Sequence, residues 1–333
     1  MSTLFSDYPS DPSLVGIARL AAAGESVAEG HKVDYLTLEN RSILARCKSP
    51  RMPFAWMINP YRGCEFACKY CYARYTHEFM ELRDSLDFER KIYIKQNGAW
   101  LLRQELKQVR PGQSIAIGTA TDPYQPAEKK FGITRALLEE FARHQGHSLG
   151  LVTKSDLILR DVDLLAAIAR HNRLSIHVTV TTTRTDLARI LEPRAPRPDL
   201  RFKAVRKLTE AGIRTCVNCA PVLPGITDSP ADLEQLVAAA AEAKASSVTP
   251  IPLFLKPCSE KVFIPFLQEH FPDLVDSYRR RFANHAFLPD QYRQRISALV
   301  TKLCRKYGVV DRSREQKWTY EKSAFQPVQM SMF

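Results

Sequence analysis

The segment from residue 59 to 74 reads NPYRGCEFACKYCYAR and places three cysteines, Cys64, Cys68 and Cys71, within eight residues. A structural zinc site is closed by four protein ligands, so three thiols are one short unless His77 or a distant cysteine completes the set. A 4Fe-4S cluster held by three thiolates leaves one iron without a protein ligand, where a small molecule can bind. The spacing therefore favours an open, catalytic cluster over a closed metal site.

The elements that must position this segment form a repeating pattern. From about residue 114 to 255, short β-branched apolar runs alternate with amphipathic stretches of helical period. Six strands are predicted, at 54–61, 114–120, 148–154, 175–182, 214–223 and 247–255. Near-continuous apolar strands separated by helices indicate a parallel sheet buried on both faces. We expect an α/β fold, a partial (β/α)6 TIM-type barrel, with the cysteine segment at the carboxyl end of the first strand.

Four regions are predicted along the chain. Residues 1–50 are a polar, weakly patterned N-terminal lead-in, and residues 51–260 form the barrel. Residues 261–318 are a C-terminal helical extension, and residues 319–333 lack periodicity and are expected to be a flexible tail.

The composition and charge of the chain indicate which kinds of partner it can have. The chain has 48 Lys and Arg against 36 Asp and Glu, a net charge of +12, with basic residues clustered at 184–207, 278–282 and 302–318. Clustered positive charge is typical of a protein that meets a polyanion such as DNA or RNA. No apolar run approaches the roughly 20 residues that a membrane span needs, and no secretory signal is visible. We expect a cytoplasmic protein whose eight cysteines stay reduced.

Residues 64–72 read CEFACKYCY, which closely resembles the signature of the radical SAM superfamily, CxxxCxxC followed by an aromatic residue. In that family S-adenosylmethionine (SAM) chelates the fourth iron of the cluster through its amino and carboxylate groups. Reductive cleavage of SAM then gives a 5'-deoxyadenosyl radical that abstracts hydrogen from the substrate. The resemblance implies that Cys64, Cys68 and Cys71 bind a 4Fe-4S cluster, with a reductant such as flavodoxin or ferredoxin as a partner.

Three segments narrow the resemblance to the spore photoproduct lyase-like subgroup, also called DNA repair photolyase-like: NPYRGCEFACKYCYARYTHEF, GTATDPYQPAEKKFGITR and LVTKSDLILRD. The similarity covers about residues 40 to 260 and implies a role in DNA repair or damage processing. It also implies that Tyr72 lies against the SAM adenine. Further SAM-contacting positions follow by matching, each of which could instead be a turn or core residue: Gly118, Thr119, Asp122, Lys154, Ser155, Thr179 and Thr181.

The chain departs from this subgroup in one place. True spore photoproduct lyase carries a hydrogen-donor cysteine just before the position of Asp122, whereas residues 119–122 here read TATD. A hydroxyl O–H bond is too strong to replace a thiol donor, so this reaction would need another donor. Cys216, Cys219 and Tyr124 are the candidates. Because side chains alternate along a strand, Cys216 and Cys219 point to opposite faces, and core packing, a radical relay and metal ligation all stay open for them.

The last five residues, Gln329, Met330, Ser331, Met332 and Phe333, resemble the pentapeptide that binds the bacterial sliding clamp, with Met in place of Leu at two positions. Methionine is unbranched and similar in volume to leucine, so it could fill the same apolar clefts. The alternative is an uninvolved chain end.

Three functions are consistent with these features. The first is a radical SAM enzyme that acts on DNA, and the second is a radical SAM enzyme that modifies RNA or protein. The third is a nonenzymatic iron-sulfur protein that senses redox state or supports a DNA-associated complex, which the open ligand position disfavours.

Overall fold

A computed structural model describes residues 13–30, 33–50, 52–110 and 112–309. The predicted tail at 319–333 and its terminal pentapeptide lie outside these residues. Within the described residues, no helix is both long and apolar enough to cross a membrane.

The strands fall into two sheets. In chain order they are β1 (Ser26–Gly30), β2 (Val33–Thr37), β3 (Leu44–Arg46), β4 (Trp56–Ile58), β5 (Tyr61–Arg62), β6 (Lys91–Ile94), β7 (Ser114–Ile117), β8 (Ser148–Thr153), β9 (Arg173–Val180), β10 (Thr215–Val222) and β11 (Val248–Pro252). The main sheet has the order β11-β10-β9-β8-β7-β4-β3. All neighbours from β4 to β11 are parallel, and only β3 is antiparallel, at the edge beside β4.

The helices are α1 (Gly16–Ala22), α2 (Tyr75–Glu78), α3 (Asp87–Arg90), α4 (Gly98–Glu105), α5 (Pro126–Phe131), α6 (Ile133–Ala142), α7 (Val162–His171), α8 (Thr185–Leu191), α9 (Pro198–Glu210), α10 (Pro230–Glu242), α11 (Pro257–His270), α12 (Val275–Phe282) and α13 (Asp290–Lys306). Helices separate the successive parallel strands from β7 onward, so the chain alternates as a βα array. The predicted α/β partial barrel with six parallel strands is confirmed.

The first predicted strand is shorter than expected, and the chain changes sheets within it. The strand was predicted over 54–61, but β4 ends at Ile58, and Tyr61 begins β5 of a second sheet with the order β1-β2-β6-β5. Pro60 separates the two strands and has no N–H to donate to a ladder, which explains the break. The N-terminal region supplies β1 and β2 to this second sheet and β3 to the edge of the main sheet.

Two of the three apolar clusters among the described residues surround the main sheet and the cysteine segment. The larger lies between the main sheet and its helices and includes Ile117, Leu137, Phe141 and Val178, each at most 1% exposed. Truncation of such a phenylalanine to alanine costs about 3–5 kcal/mol in general. The second cluster packs the cysteine segment against α11 and α12, through residues such as Cys68, Phe263 and Tyr278. The C-terminal helices therefore cover the cysteine segment.

Candidate active site

The cysteine loop, residues 63–71, begins with a glycine that the backbone requires. Gly63 has a φ of +83°, and a Cβ at this position would lie 2.6 Å from the carbonyl oxygen of Lys91 and 2.8 Å from that of Phe88. Just after it, the Cys64 N–H donates to the same Phe88 carbonyl at 2.9 Å. Because any larger side chain would clash here, glycine allows the loop to approach β6 and places Cys64 at its start.

A buried carboxylate and a buried amide fix the loop from one side. Glu65 accepts a hydrogen bond from the Ala127 N–H at 2.7 Å and another from the Tyr35 hydroxyl at 3.0 Å. The Gln125 side chain accepts from the Glu65 N–H at 3.0 Å and donates to the Gly63 carbonyl at 3.1 Å. These bonds tie the cysteine loop to the start of α5, the helix that follows β7.

Arg74 and Ser259 fix the loop from the other side. The Arg74 guanidinium donates to the Cys68 carbonyl at 3.1 Å and pairs with Glu89 at 2.6 Å. The Ser259 hydroxyl donates to the Cys71 carbonyl at 2.8 Å. The carbonyls of Cys68 and Cys71 are thus satisfied by side chains that lie outside the loop.

The three thiols fit an iron-sulfur cluster better than a single metal ion. Burial raises the pKa of Cys64, Cys68 and Cys71, that of Cys68 to about 12, and the charge of Cys71 adds to the rise at both Cys64 and Cys68. Nevertheless, nowhere in the described part of the chain do three His, Cys, Asp or Glu side chains stand close enough to hold one ion. In a 4Fe-4S cluster the thiolates bind different irons and need not converge on a point.

His77 is not placed as a fourth ligand. Its Nε2 lies 3.1 Å from the Lys91 carbonyl, and its ring meets the edges of Phe88 and Tyr93. Burial lowers the pKa of His77 to about 4. This is the environment of a neutral core histidine, and the alternative of a zinc site completed by His77 has no support in the geometry.

Gly118 and Asp122 shape the loop after β7. Gly118 has a φ of +87°, and a Cβ there would lie 2.5 Å from the Val152 carbonyl oxygen. The Asp122 carboxylate accepts from the Thr153 hydroxyl and the Lys154 N–H, both at 2.7 Å. Burial raises the pKa of Asp122. The carboxylate therefore links the carboxyl ends of β7 and β8.

Thr119 and Tyr72 are brought together at the mouth of the barrel. The Tyr72 hydroxyl donates to the Thr119 carbonyl, and Tyr72 is 40% exposed. Asn59, just after β4, donates to the Thr119 hydroxyl at 3.1 Å and accepts from the Ala120 N–H at 2.8 Å. Asn59 was not singled out from the sequence, although its place at a strand end beside the cysteine segment was visible.

Lys154 lies in a buried polar network that reaches the cysteine loop. Its Nζ is 4.0 Å from Glu192 Oε1 and 5.7 Å from the centroid of the Tyr70 ring. The Glu192 carboxylate also accepts from the Tyr70 hydroxyl and pairs with Arg201. The charge of Lys154 opposes the rise that burial causes in the pKa of Cys68. A cation is thus held beside the middle thiol of the loop.

Thr179 and Thr181 join this network differently. The Thr181 hydroxyl oxygen lies 2.7 Å from both Glu192 Oε1 and the Ala220 carbonyl oxygen, to either of which its one proton can be donated, whereas the Thr179 backbone carbonyl accepts from Arg201 at 3.1 Å. Glu192 and Arg201 were missed by sequence reasoning, because they look like ordinary members of a charged stretch. Ser155, the remaining candidate at this strand end, caps the turn that follows β8 by accepting from the Leu157 N–H at 3.2 Å.

The three candidate hydrogen donors, Tyr124, Cys216 and Cys219, are all buried, but they lie in different surroundings. The Tyr124 hydroxyl donates to Asp161 at 3.1 Å and is buried. Cys219 lies with Cys304 of α13 in the apolar core between sheet and helices. Cys216 is buried three residues earlier on β10, so strand alternation places it on the opposite face.

A fourth thiol lies beside the cysteine loop. Cys258, at the start of α11, is 5% exposed, and its Sγ is 4.0 Å from the Tyr72 carbonyl oxygen. Its charge also contributes to the raised pKa of Cys71. The sequence does not single out Cys258, because no other cysteine lies at metal-binding spacing from it.

A cleft of about 380 Å³ opens beside the loop. It lies between Phe66 of the loop and the segments that follow β7, β8 and β9. Arg160 is held there by Glu128 at 2.7 Å and Asp161 at 2.8 Å. The charged residues that line the cleft are three cations and one carboxylate: Lys129, Arg160, Arg194 and Asp156.

Comparisons with known proteins agree with this site. The model of the radical SAM superfamily matches residues 58–237. An uncharacterized protein of Mycobacterium tuberculosis is 35% identical over 285 residues, which cover 85% of this chain and 83% of that protein. An uncharacterized protein of Methanocaldococcus jannaschii is 28% identical over 202 residues, or 59% of this chain and 71% of that one. The chain belongs to the radical SAM superfamily.

Solved structures give the same fold. Spore photoproduct lyase with bound AdoMet and dinucleoside spore photoproduct has a TM-score of 0.62 at 16% identity, over 89% of this chain and 84% of that one. A cysteine-to-serine variant of spore photoproduct lyase has a TM-score of 0.64 at 17% identity, over the same shares of the two chains. The predictions of the family, of an enzyme, and of a 4Fe-4S cluster and SAM as cofactors are confirmed.

Proposed function

We propose that this radical SAM enzyme acts on DNA, in repair or in the processing of damage. The observation that carries the proposal is the cationic cleft beside the cysteine loop. Among the described residues, Lys129 and Arg194 form no ion pair with an acid; the Arg194 charge opposes the rise that burial causes in the pKa of Glu65, and both side chains line the cleft, where they would face a bound phosphate. The net charge of +12 adds long-range attraction to a polyanion.

The fold of the structural neighbours supports the same choice. The spore photoproduct lyase structures align over most of this chain, and one of them holds a dinucleoside photoproduct. At 16% identity this likeness concerns the fold. A cationic wall next to the catalytic loop is the independent feature that agrees with it.

Within the site we assign roles by position. Cys64, Cys68 and Cys71 would hold the cluster, and Lys154 would face the carboxylate of SAM from its place beside Cys68. Tyr72 would cover the adenine at the mouth. When bound, the cluster supplies the electron that cleaves SAM. The protein's own contribution is to keep the thiols in a buried pocket closed by α11, which excludes water from a reactive radical.

The test is DNA binding as a function of salt concentration. Each phosphate contact contributes about 0.9 to the slope of log K against log salt. We expect the double variant Lys129→Glu, Arg194→Glu to bind DNA more weakly and with a shallower slope than the wild type. The matched control is Arg170→Glu, Lys203→Glu, which makes the same charge change at two exposed positions on outer helices. Equal losses in the two double variants would contradict a specific role for the cleft.

We also propose that the chain end binds the bacterial sliding clamp. The support is the sequence of the pentapeptide 329–333, which lies outside the described residues. Clamp binding would bring a repair enzyme to DNA, and a reductant such as flavodoxin or ferredoxin would serve it there. Deletion of Met330 to Phe333 should abolish association with purified clamp and leave SAM cleavage intact; unchanged association would remove this proposal.

A further inference from the structure

Five aromatic side chains form two groups of neighbouring rings next to the cysteine loop. Phe79 and Tyr75 meet edge to face, with 5.6 Å between ring centroids. Tyr72 and Phe254 are 5.9 Å apart, and Phe254 stacks on Phe287 at 4.4 Å. The Lys256 ammonium joins the two groups, because it lies 3.5 Å from the Tyr75 centroid and 5.8 Å from that of Phe254. We call this set the aromatic ladder: Tyr72, Tyr75, Phe79, Phe254 and Phe287, with Lys256 between them.

The aromatic ladder is unusually open to solvent. Phe79 is 61% exposed, Phe287 is 41% exposed and Tyr72 is 40% exposed. Among the described residues, these three are three of the seven large apolar side chains that are exposed, and all three belong to this one set of rings. A concentrated apolar patch on a folded domain marks a binding surface more often than chance.

The aromatic ladder is continuous with the catalytic loop. Tyr72 directly follows Cys71, and the α11 residues Cys258 and Ser259 contact the backbone carbonyls of Tyr72 and Cys71. A ligand lying on the rings would therefore end at the pocket that contains the three thiols. The charge in contact with the rings is the cation of Lys256, which suits an anionic partner that also carries flat rings.

We propose that the aromatic ladder binds unstacked bases of single-stranded or locally opened nucleic acid and presents one base to the cysteine loop. Bases stack on aromatic side chains whatever their identity, and a nearby cation adds attraction for the phosphates. A base inside a duplex is out of reach of a buried catalytic pocket, so chemistry on it requires removal from the stack. The inference rests on the proposed function, because it names the state of the DNA that the enzyme holds.

The experiment compares the affinities of the full-length, cluster-loaded protein for a single-stranded oligonucleotide and for the matching duplex, by fluorescence anisotropy at fixed salt. The variant is Phe79→Ala, Phe287→Ala, two positions that we place outside the cluster and SAM sites. The matched control is Trp100→Ala, because Trp100 is 62% exposed but lies on α4, outside the ladder. SAM cleavage without DNA should equal that of the wild type in both variants, which shows that they fold.

Stacking of one base contributes enough that each lost ring should weaken single-strand binding by about tenfold. We expect the double variant to lose single-strand affinity by at least tenfold and to keep its duplex affinity. The control Trp100→Ala should keep the wild-type affinity for both oligonucleotides. An unchanged single-strand affinity overturns the inference and leaves the proposed function standing, as does an equal loss on both oligonucleotides. If the wild-type protein binds neither oligonucleotide, both proposals fail.

Discussion

Glu192 and Arg201 form an ion pair that is closed to solvent, with side chains 0% and 1% exposed. The Glu192 carboxylate also accepts a hydrogen bond from the hydroxyl of Tyr70, which lies in the cysteine loop between Cys68 and Cys71. Arg201 is also bound to the carbonyl of Thr179 at 3.1 Å. One buried pair thereby connects the end of β9 and the start of α9 to the loop that carries the thiols.

Replacement Glu192→Gln should destabilise the protein by about 3 kcal/mol, because it leaves the buried Arg201 guanidinium without a counter-charge. The control is Arg197→Ala, which breaks the exposed pair with Asp199 and should change the unfolding free energy by less than about 1 kcal/mol. Denaturant unfolding of the two variants under anaerobic conditions makes the comparison. If the two substitutions lower the unfolding free energy equally, the buried ion pair contributes no more to stability than the exposed one.

Replacement Gly118→Ala should be costly for two reasons. A left-handed backbone costs alanine roughly 1–2 kcal/mol, and the new Cβ would also meet the Val152 carbonyl at 2.5 Å. Gly112 is the matched control, since its φ of +82° is nearly the same and nothing lies within 4 Å of its Cβ position. We expect Gly118→Ala to lose more stability than Gly112→Ala and also to weaken SAM binding, measured by calorimetry. If the two variants have similar stabilities and SAM affinities, the close approach of Gly118 to the Val152 carbonyl and its place in the SAM site are contradicted.

His77 should make stability depend on pH. Burial lowers the pKa of His77 from 6.5 to about 4, so the unfolded chain binds this proton more tightly than the folded one. Its contribution is complete above pH 6.5, is lost as the pH falls through 4, and amounts to about 3 kcal/mol at 1.36 kcal/mol per pKa unit.

The replacement His77→Gln should therefore flatten the decline in unfolding free energy between pH 6.5 and 4. The exposed His285 offers the control His285→Gln, which should keep the slope of the wild type. Chemical denaturation across this range measures both slopes. A steep decline that survives in His77→Gln would mean that another group causes it.

Replacement Cys68→Ala should abolish the visible absorbance of the iron-sulfur cluster after reconstitution, because two thiolates cannot hold three irons. The control Cys304→Ala removes an equally buried thiol from the core beside Cys219 and should keep the absorbance. Both variants lose one buried sulfur atom, so the loss of core packing is similar in the two proteins. Retention of a full cluster in Cys68→Ala would overturn the ligand assignment.

Local patterns in the sequence were sufficient for the barrel and for the three thiols. The six parallel strands follow from apolar runs of strand length, and the cysteine loop follows from its spacing. The second sheet was not predictable in this way, because β2 pairs in parallel with β6, from Asp34↔Lys91 to Thr37↔Ile94, across a long stretch of chain. Such a pairing of short strands has no periodic signature.

The parts of the site that were missed depend on contacts between distant segments. Glu192 and Arg201 became recognisable only when α9 packed against β9, and Cys258 only when α11 covered the loop. Conversely, Cys216 and Cys219 form an attractive CxxC spacing, yet Cys219 lies with Cys304 in the outer core. Spacing predicts a site reliably when the ligands share one loop, and poorly when they lie along a strand.

The most direct test of the account is SAM cleavage by the reconstituted, reduced wild-type protein, followed as 5'-deoxyadenosine, with and without ultraviolet-damaged single-stranded DNA. The account predicts cleavage that DNA accelerates, and loss of cleavage in Cys68→Ala. Cleavage that is indifferent to every DNA tested would contradict the proposed substrate, and absence of cleavage by a protein with a full cluster would contradict the site itself.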